Sequence, residues 1–182
     1  MAIDMHAHWS PRGLAAKTAA GGDWYGWRVF RERNGREYVA HGHHVLPFQA
    51  SSSLLNDPAA RAAARKESEG VDLEQLVLTG TFWNYHLDEA GARSFCREVN
   101  GEVAEVQRAY PDRFRGTAVL PMQHPKLALE ELDYAVNTLD LRTVVMATNV
   151  RGMNLDEPSV LPVIEAAAAM GVAVDRKSTR LN

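Results

Sequence analysis

From residue 71 onward the chain alternates two rhythms. Short, nearly continuous apolar blocks are separated by stretches in which apolar residues recur every three or four positions. The blocks are LEQLVLTGTF from Leu73, RGTAVLPM from Arg115, LRTVVMATNV from Leu141 and GVAV from Gly171. Runs of this kind are what strands buried on both faces look like. Between them the spacing predicts helices. Asp88 to Tyr110 carries Phe95, Val99, Val103 and Val106 on one stripe, Pro125 opens a second helix to about Thr138, and Pro158 to Met170 forms a third, interrupted near Pro162. Upstream, Asp57 caps a helix, Pro58 takes its first position and Gly70 ends it.

The first 48 residues read differently. Ala2 to His8 is a short apolar run with a polar end, a first strand. The small residues that follow, from Ser10 to Asp23, form a loop or short helix. Then apolar and polar residues alternate around Asn34-Gly35, the favoured pair for a two-residue type I′ turn. A third short strand passes through Val45 and Leu46. A small antiparallel insert is therefore expected at about 27–47, after strand one.

Strands alternating with helices mean parallel βαβ units. No glycine-rich phosphate loop follows the first strand, which argues against a nucleotide-binding sheet. The expected fold class is α/β: the N-terminal part, about five strands, of a TIM (β/α)8 barrel with an antiparallel β-hairpin insert. A complete barrel takes eight strands and roughly 250 residues; this chain has 182.

Composition narrows the function classes. The net charge is -3 with no basic stripe, which gives nucleic-acid binding no electrostatic support. The single cysteine, Cys96, excludes a disulfide framework and a cysteine-based metal site. No run is long and apolar enough for a membrane span, and the start lacks the features of a signal peptide, so a cytoplasmic location is the expectation.

The chemistry concentrates at His6 and His8. On a strand, alternate residues share a face. The two imidazoles therefore project together from the C-terminal end of strand one, which is the functional mouth of a barrel. Solvated histidines at a strand end would have the same spacing. The position after an N-terminal strand in a βα-repeating chain favours two ligands of a divalent metal.

The start, IDMHAHWSP, resembles that of the amidohydrolase-related family, in the aminocarboxymuconate-semialdehyde decarboxylase-like group. The strings NDPAAR, GVD at 70–72, FCREVN at 95–100, YPDRFRG at 110–116, LPMQ at 120–123, TNVRGMNLDEP at 148–158 and LPVIEAA at 161–167 resemble that group in its order. The resemblance covers roughly Ile3 to Val174. It implies a metal-bearing TIM barrel that removes a carboxylate from an unsaturated or aromatic acid. Hydrolysis of a lactone, amide or ester is the alternative within the superfamily. Zinc is the usual metal and manganese serves some decarboxylases. His6 and His8 map onto the family's metal pair. A histidine from a later strand would handle protons, and an aspartate on the last strand would complete the metal site. The implied partner is a small carboxylic acid, and the parent protein is expected to be a homodimer.

Two departures stand out. The family's third metal-binding histidine falls, by counting, at Lys177, and a protonated lysine has no lone pair to donate. Asp175 and Arg176 stand where buried apolar residues are expected, and unpaired charges are costly there. Three of the last eight residues are basic, and that string resembles translated adapter sequence. Domain 1–174 is therefore expected to be native and 175–182 to be a foreign tail, leaving this chain a non-catalytic fragment of the parent enzyme. Second, Leu46 rather than arginine precedes Pro47, so Arg28 or Arg36 would have to grip a substrate carboxylate.

Other candidates lie at strand ends. Trp9, Asn84, His86 and Asn149 are expected substrate contacts, although Trp9 could equally be packing and Asn84 and His86 loop caps. His41, His43 and His44 read as a solvated turn, with a second metal site as the alternative. Gln123 and His124 fit a helix entry as well as a site.

Overall fold

The computed structural model describes residues 1–47 and 57–177. The chain begins with β1 (Ala2–Trp9) and α1 (Arg12–Ala19). The antiparallel unit β2 (Trp27–Arg31), β3 (Glu37–His41) and β4 (His44–Pro47) follows. Then come α2 (Pro58–Glu69), β5 (Val71–Leu78), a 3-10 turn (Gly80–Phe82), α3 (Glu89–Ala109), β6 (Phe114–Gly116), β7 (Ala118–Val119), α4 (Pro125–Asn137) and β8 (Thr143–Ala147). A two-stranded ribbon of β9 (Asn149–Val150) and β10 (Met153–Asn154), then α5 (Leu161–Ala169) and β11 (Ala173–Lys177), complete the described chain.

The long strands are parallel. One sheet has the order β1-β5-β6 and another β11-β8-β7. β6 and β7 are successive segments that meet at Thr117, whose N–H still bonds the Leu76 carbonyl of β5 at 3.0 Å. Each long strand thus neighbours the next one in the chain, the arrangement that helical crossovers favour. At Val119 the Asn100 side chain both donates to the carbonyl and accepts from the N–H, at 2.9 Å each, so the buried backbone of the bent segment is satisfied.

The helices follow from their caps. The Asp57 carboxylate accepts from Ala60 N–H at 2.9 Å, and Gly70 closes α2 at φ +70°. Asp88 accepts from Gly91 N–H at 2.8 Å to start α3. Phe95, Val99, Val103 and Val106 face the core as their spacing predicts. Cys96 is buried beside them and burial pushes its thiol pKa up, which suits a small apolar filler. Among the described residues, no helix is long and apolar enough to cross a membrane.

Three local expectations are corrected. The Asn34-Gly35 turn is not type I′, because only Gly35 has positive φ. Glu32 N–H bonds the Arg36 carbonyl, Gly35 N–H bonds the Glu32 carbonyl, and the Asn34 side chain accepts from Arg36 N–H, each at 2.9 Å. That is a three-residue loop with glycine in the left-handed position. Pro162 does not interrupt the last helix. Proline is tolerated in a first turn, and α5 starts at Leu161. Finally, Asp175 and Arg176 are not buried charges. β11 pairs in register with β8 through Lys177, Arg176 is exposed and Asp175 is paired. Residues 178–182 of the expected tail lie outside the described residues.

Candidate metal centre

β1 carries a bulge. Asp4 pairs with Glu74 and Ala7 with Leu76, so three steps on β1 match two on β5. The extra residue switches the facing of the strand. Asp4 bonds Arg65 of α2, and its other oxygen accepts from His6 N–H at 3.0 Å. Beyond the bulge, Ala7 and Trp9 are buried while His6 and His8 take the other face.

The two imidazoles meet there. Their Nε2 atoms are 3.0 Å apart. Nδ1 of His6 lies 2.7 Å from Asp175 Oδ2 on β11. A carboxylate on one ring nitrogen fixes the proton there and leaves the other nitrogen its lone pair. Lys177, two residues along β11 and therefore on the same face, donates from Nζ to His8 Nε2 and lies 3.2 Å from His6 Nε2. Burial, then the charges of Lys177 and His6, hold His8 below its ordinary pKa, against Asp175 and Asp4. Burial lowers Lys177 as well, with Asp175 opposing. A neutral His8 keeps its lone pair.

The donor set can be compared with what a cation requires. Two imidazole nitrogens bound to one tetrahedral zinc at about 2.0–2.1 Å sit roughly 3.3 Å apart, close to the 3.0 Å here. His6 and His8 fit a divalent cation as two of its ligands. Lys177 does not fit, since its ammonium is itself the cation to which both lone pairs point. Among the described residues, no group of three or more His, Cys, Asp or Glu could hold a metal ion.

The other expected site residues lie apart from this pair in their bonding. Trp9 is 1% exposed, on the face opposite His8, with no partner for its indole N–H. Asn84 is buried at φ +54°, and its Oδ1 accepts from Trp27 Nε1 at 2.7 Å. That bond fixes the amide's orientation and leaves Nδ2 without a partner. His86 meets His41 of the antiparallel unit. Asn149 turns inward on its own loop, accepting from Gly152 N–H at 2.8 Å and donating to Asn154 at 3.2 Å. His124 leads into α4, its Nε2 3.0 Å from the Leu87 carbonyl. Asp175 escaped the sequence reading as a partner for His6, yet its two-residue step from Lys177 was the available signal. Nothing local in the sequence joins His41 to His86.

Comparison with known proteins places these observations. The family model described as "Amidohydrolase" matches residues 3–177. A 2-amino-3-carboxymuconate-6-semialdehyde decarboxylase of Dictyostelium discoideum is 27% identical over 94% of this chain and 47% of its own length. A gamma-resorcylate decarboxylase of Polaromonas sp. strain JS666 is 32% identical over 61% of this chain and 33% of its own. In structure, the dihydroxybenzoic acid decarboxylase of Polaromonas sp. JS666, solved with manganese and the inhibitor 2-nitroresorcinol, matches with a TM-score of 0.69 at 22% identity. That match covers 95% of this chain and 48% of that one. The chain thus spans half or less of the length of these relatives. With the βα order, the histidine pair and a match from residue 3 to residue 177 in agreement, this chain belongs to the amidohydrolase family.

Proposed function

We propose that the chain is the N-terminal part, about five barrel strands and an antiparallel insert, of a metal-dependent decarboxylase that removes a carboxylate from an unsaturated or aromatic acid. The convergence of His6 and His8 Nε2 on one point at the end of β1 carries this reading. The reaction named for the relatives supports its chemical class.

In the parent enzyme His6 and His8 would hold the cation. When bound, a divalent ion supplies Lewis-acid stabilisation of developing negative charge. The chain's own residues prepare the place. In this 182-residue chain Asp175 accepts from His6 Nδ1–H and aims the ring's free nitrogen inward. The β1 bulge turns both imidazoles away from the helices. Asn84 is the best-placed of the four expected substrate contacts, because Trp27 consumes its oxygen and leaves a buried amide donor for an acceptor such as a carboxylate or phenolic oxygen. Trp9, His86 and Asn149 are occupied by packing or by partners of their own. Manganese, present in the solved Polaromonas relative, is the first metal to test, with zinc as the comparison.

A second reading concerns the 182-residue chain by itself. Lys177 donates to the imidazoles that should grip the metal, which favours a non-catalytic chain. One experiment addresses both readings. CO2 release from a dihydroxybenzoic acid is measured with Mn2+ or Zn2+, for this chain and for the protein encoded by the full source locus. The expected result is release by the longer protein and none by this chain. Lactone hydrolysis without CO2 release by the longer protein would make the parent a hydrolase instead.

A further inference from the structure

A second pair of imidazoles meets elsewhere. His41 ends β3, and His86 follows the 3-10 turn after β5. Their Nε2 atoms are 3.2 Å apart, with ring centroids at 4.4 Å and planes inclined by 54°. The contact joins the antiparallel insert to a loop of the parallel layer.

The surroundings hold both rings in place. Gly26 passes beside His41 at φ +85°. A Cβ there would lie 2.8 Å from Nε2 and 2.9 Å from Cδ2 of the ring, so the glycine makes the space. Trp27 lays its ring 5.1 Å from that of His41. The Trp27 indole N–H is tied to Asn84, two residues before His86. His86 also hydrogen-bonds the Tyr25 backbone. Burial first, then His41, hold His86 below its ordinary pKa, with Arg151 adding to the effect. The pair is open enough for hydrated ions, since His86 is exposed and His41 half-buried. His44 stands opposite His41 in the β3–β4 ladder and so shares its face.

Two imidazole nitrogens at this separation match one edge of a tetrahedral coordination sphere, roughly 3.3 Å. Without a metal, the two Nε2 atoms can share only one proton. We propose that His41 and His86 form a binding site for a borderline divalent cation of the Zn2+ or Cu2+ class, with water completing the coordination, so that the ion staples the insert to the parallel layer. Binding moves the shared proton to Nδ1 of the ring that carried it, so both imidazoles stay neutral and both Nε2 lone pairs turn to the ion. Imidazole nitrogen suits these ions, whereas Mg2+ and Ca2+ prefer oxygen. The proposal is independent of the decarboxylase reading.

The test uses the full 182-residue chain with His6→Ala and His8→Ala, which silence the first pair. Zn2+ is titrated calorimetrically in a non-chelating buffer, and one ion per chain is expected. Adding His86→Gln should abolish saturable binding. Gly26→Ala should weaken it by about tenfold or more, because it displaces a ligand ring without removing the ligand. His43→Gln should leave it within about twofold of the parent. The absence of saturable Zn2+ binding, or an affinity indifferent to His86→Gln, overturns the proposal. A measurement free of new substitutions guards against misfolding: imidazole nitrogen NMR of the same chain during the titration. Both His41 and His86 resonances should shift together, and shifts confined to His43 and His44 refute the site.

Discussion

Replacing Lys177 with methionine removes a positive charge from the point where the His6 and His8 lone pairs converge, while keeping a side chain of similar length. In this chain a divalent ion approaching those nitrogens must come close to Nζ, which lies 3.2 Å from His6 Nε2. The surroundings are partly wet: the His6 and Asp175 side chains are 36% and 28% exposed. At a water-like dielectric, a dication about 4 Å from an ammonium is opposed by about 2 kcal/mol. That corresponds to roughly 30-fold in affinity, and partial burial makes it a floor. Lys177→Met should therefore tighten Mn2+ or Zn2+ binding by at least roughly 30-fold. Lys177→His should tighten it further by adding a neutral imidazole donor. Calorimetric titration of each variant in a His86→Gln background isolates this pair. Equal affinities for Lys177→Met and its parent would refute the idea that the ammonium competes with the metal.

Three further outcomes concern the framework. Glu131 is wholly buried, with Arg97 Nε 2.7 Å from its carboxylate and Arg93 at 3.3 Å. Arg97→Ala strands that charge and should cost about 3 kcal/mol in denaturant unfolding, near the low end for a broken buried pair because Arg93 remains. Gly116→Ala would place a Cβ 2.6 Å from Leu141 Cδ2 and 3.2 Å from Val103 Cγ1, both on buried side chains. Overpacking of this kind costs about 1–3 kcal/mol by the same assay. Burial raises the pKa of Glu102 above its ordinary value although Arg12 pulls it down. A carboxyl raised on folding contributes its stability below the unfolded pKa and loses it as pH rises through the folded one. The melting temperature of Glu102→Gln relative to the parent should therefore improve between pH 4 and pH 7, and a flat difference would contradict the shift.

Local chemistry decided what could be read from the sequence. His6 and His8 are legible as a pair because strand alternation is a two-residue rule, and both lie beyond the bulge that reverses the facing of Asp4. Asp57, Pro58 and Gly70 bound their helix by caps that act within one turn. The Asn34-Gly35 pair was ambiguous because Asn34 can either adopt positive φ or, as here, accept a hydrogen bond from Arg36 N–H. Partners far apart in sequence were beyond reach. His6 to Asp175 spans 169 residues and His41 to His86 spans 45, and both contacts depend on how sheet and insert curve together. Even there, parity along β11 held a clue, since the place counted for a third ligand at Lys177 fixes the facing of Asp175.

The extra residue in β1 divides one strand between two clients. Before it, Asp4 faces outward to Arg65 and anchors a helix; after it, the imidazoles face inward. Anchorage and aim are therefore inherited separately. A regular ladder through these same residues, with Met5 paired like any other, would keep every amino acid and misdeliver them, putting Asp4, His6 and His8 on one face, towards the helices. The identity of this half-site is thus stored as much in a count of residues as in the histidines themselves.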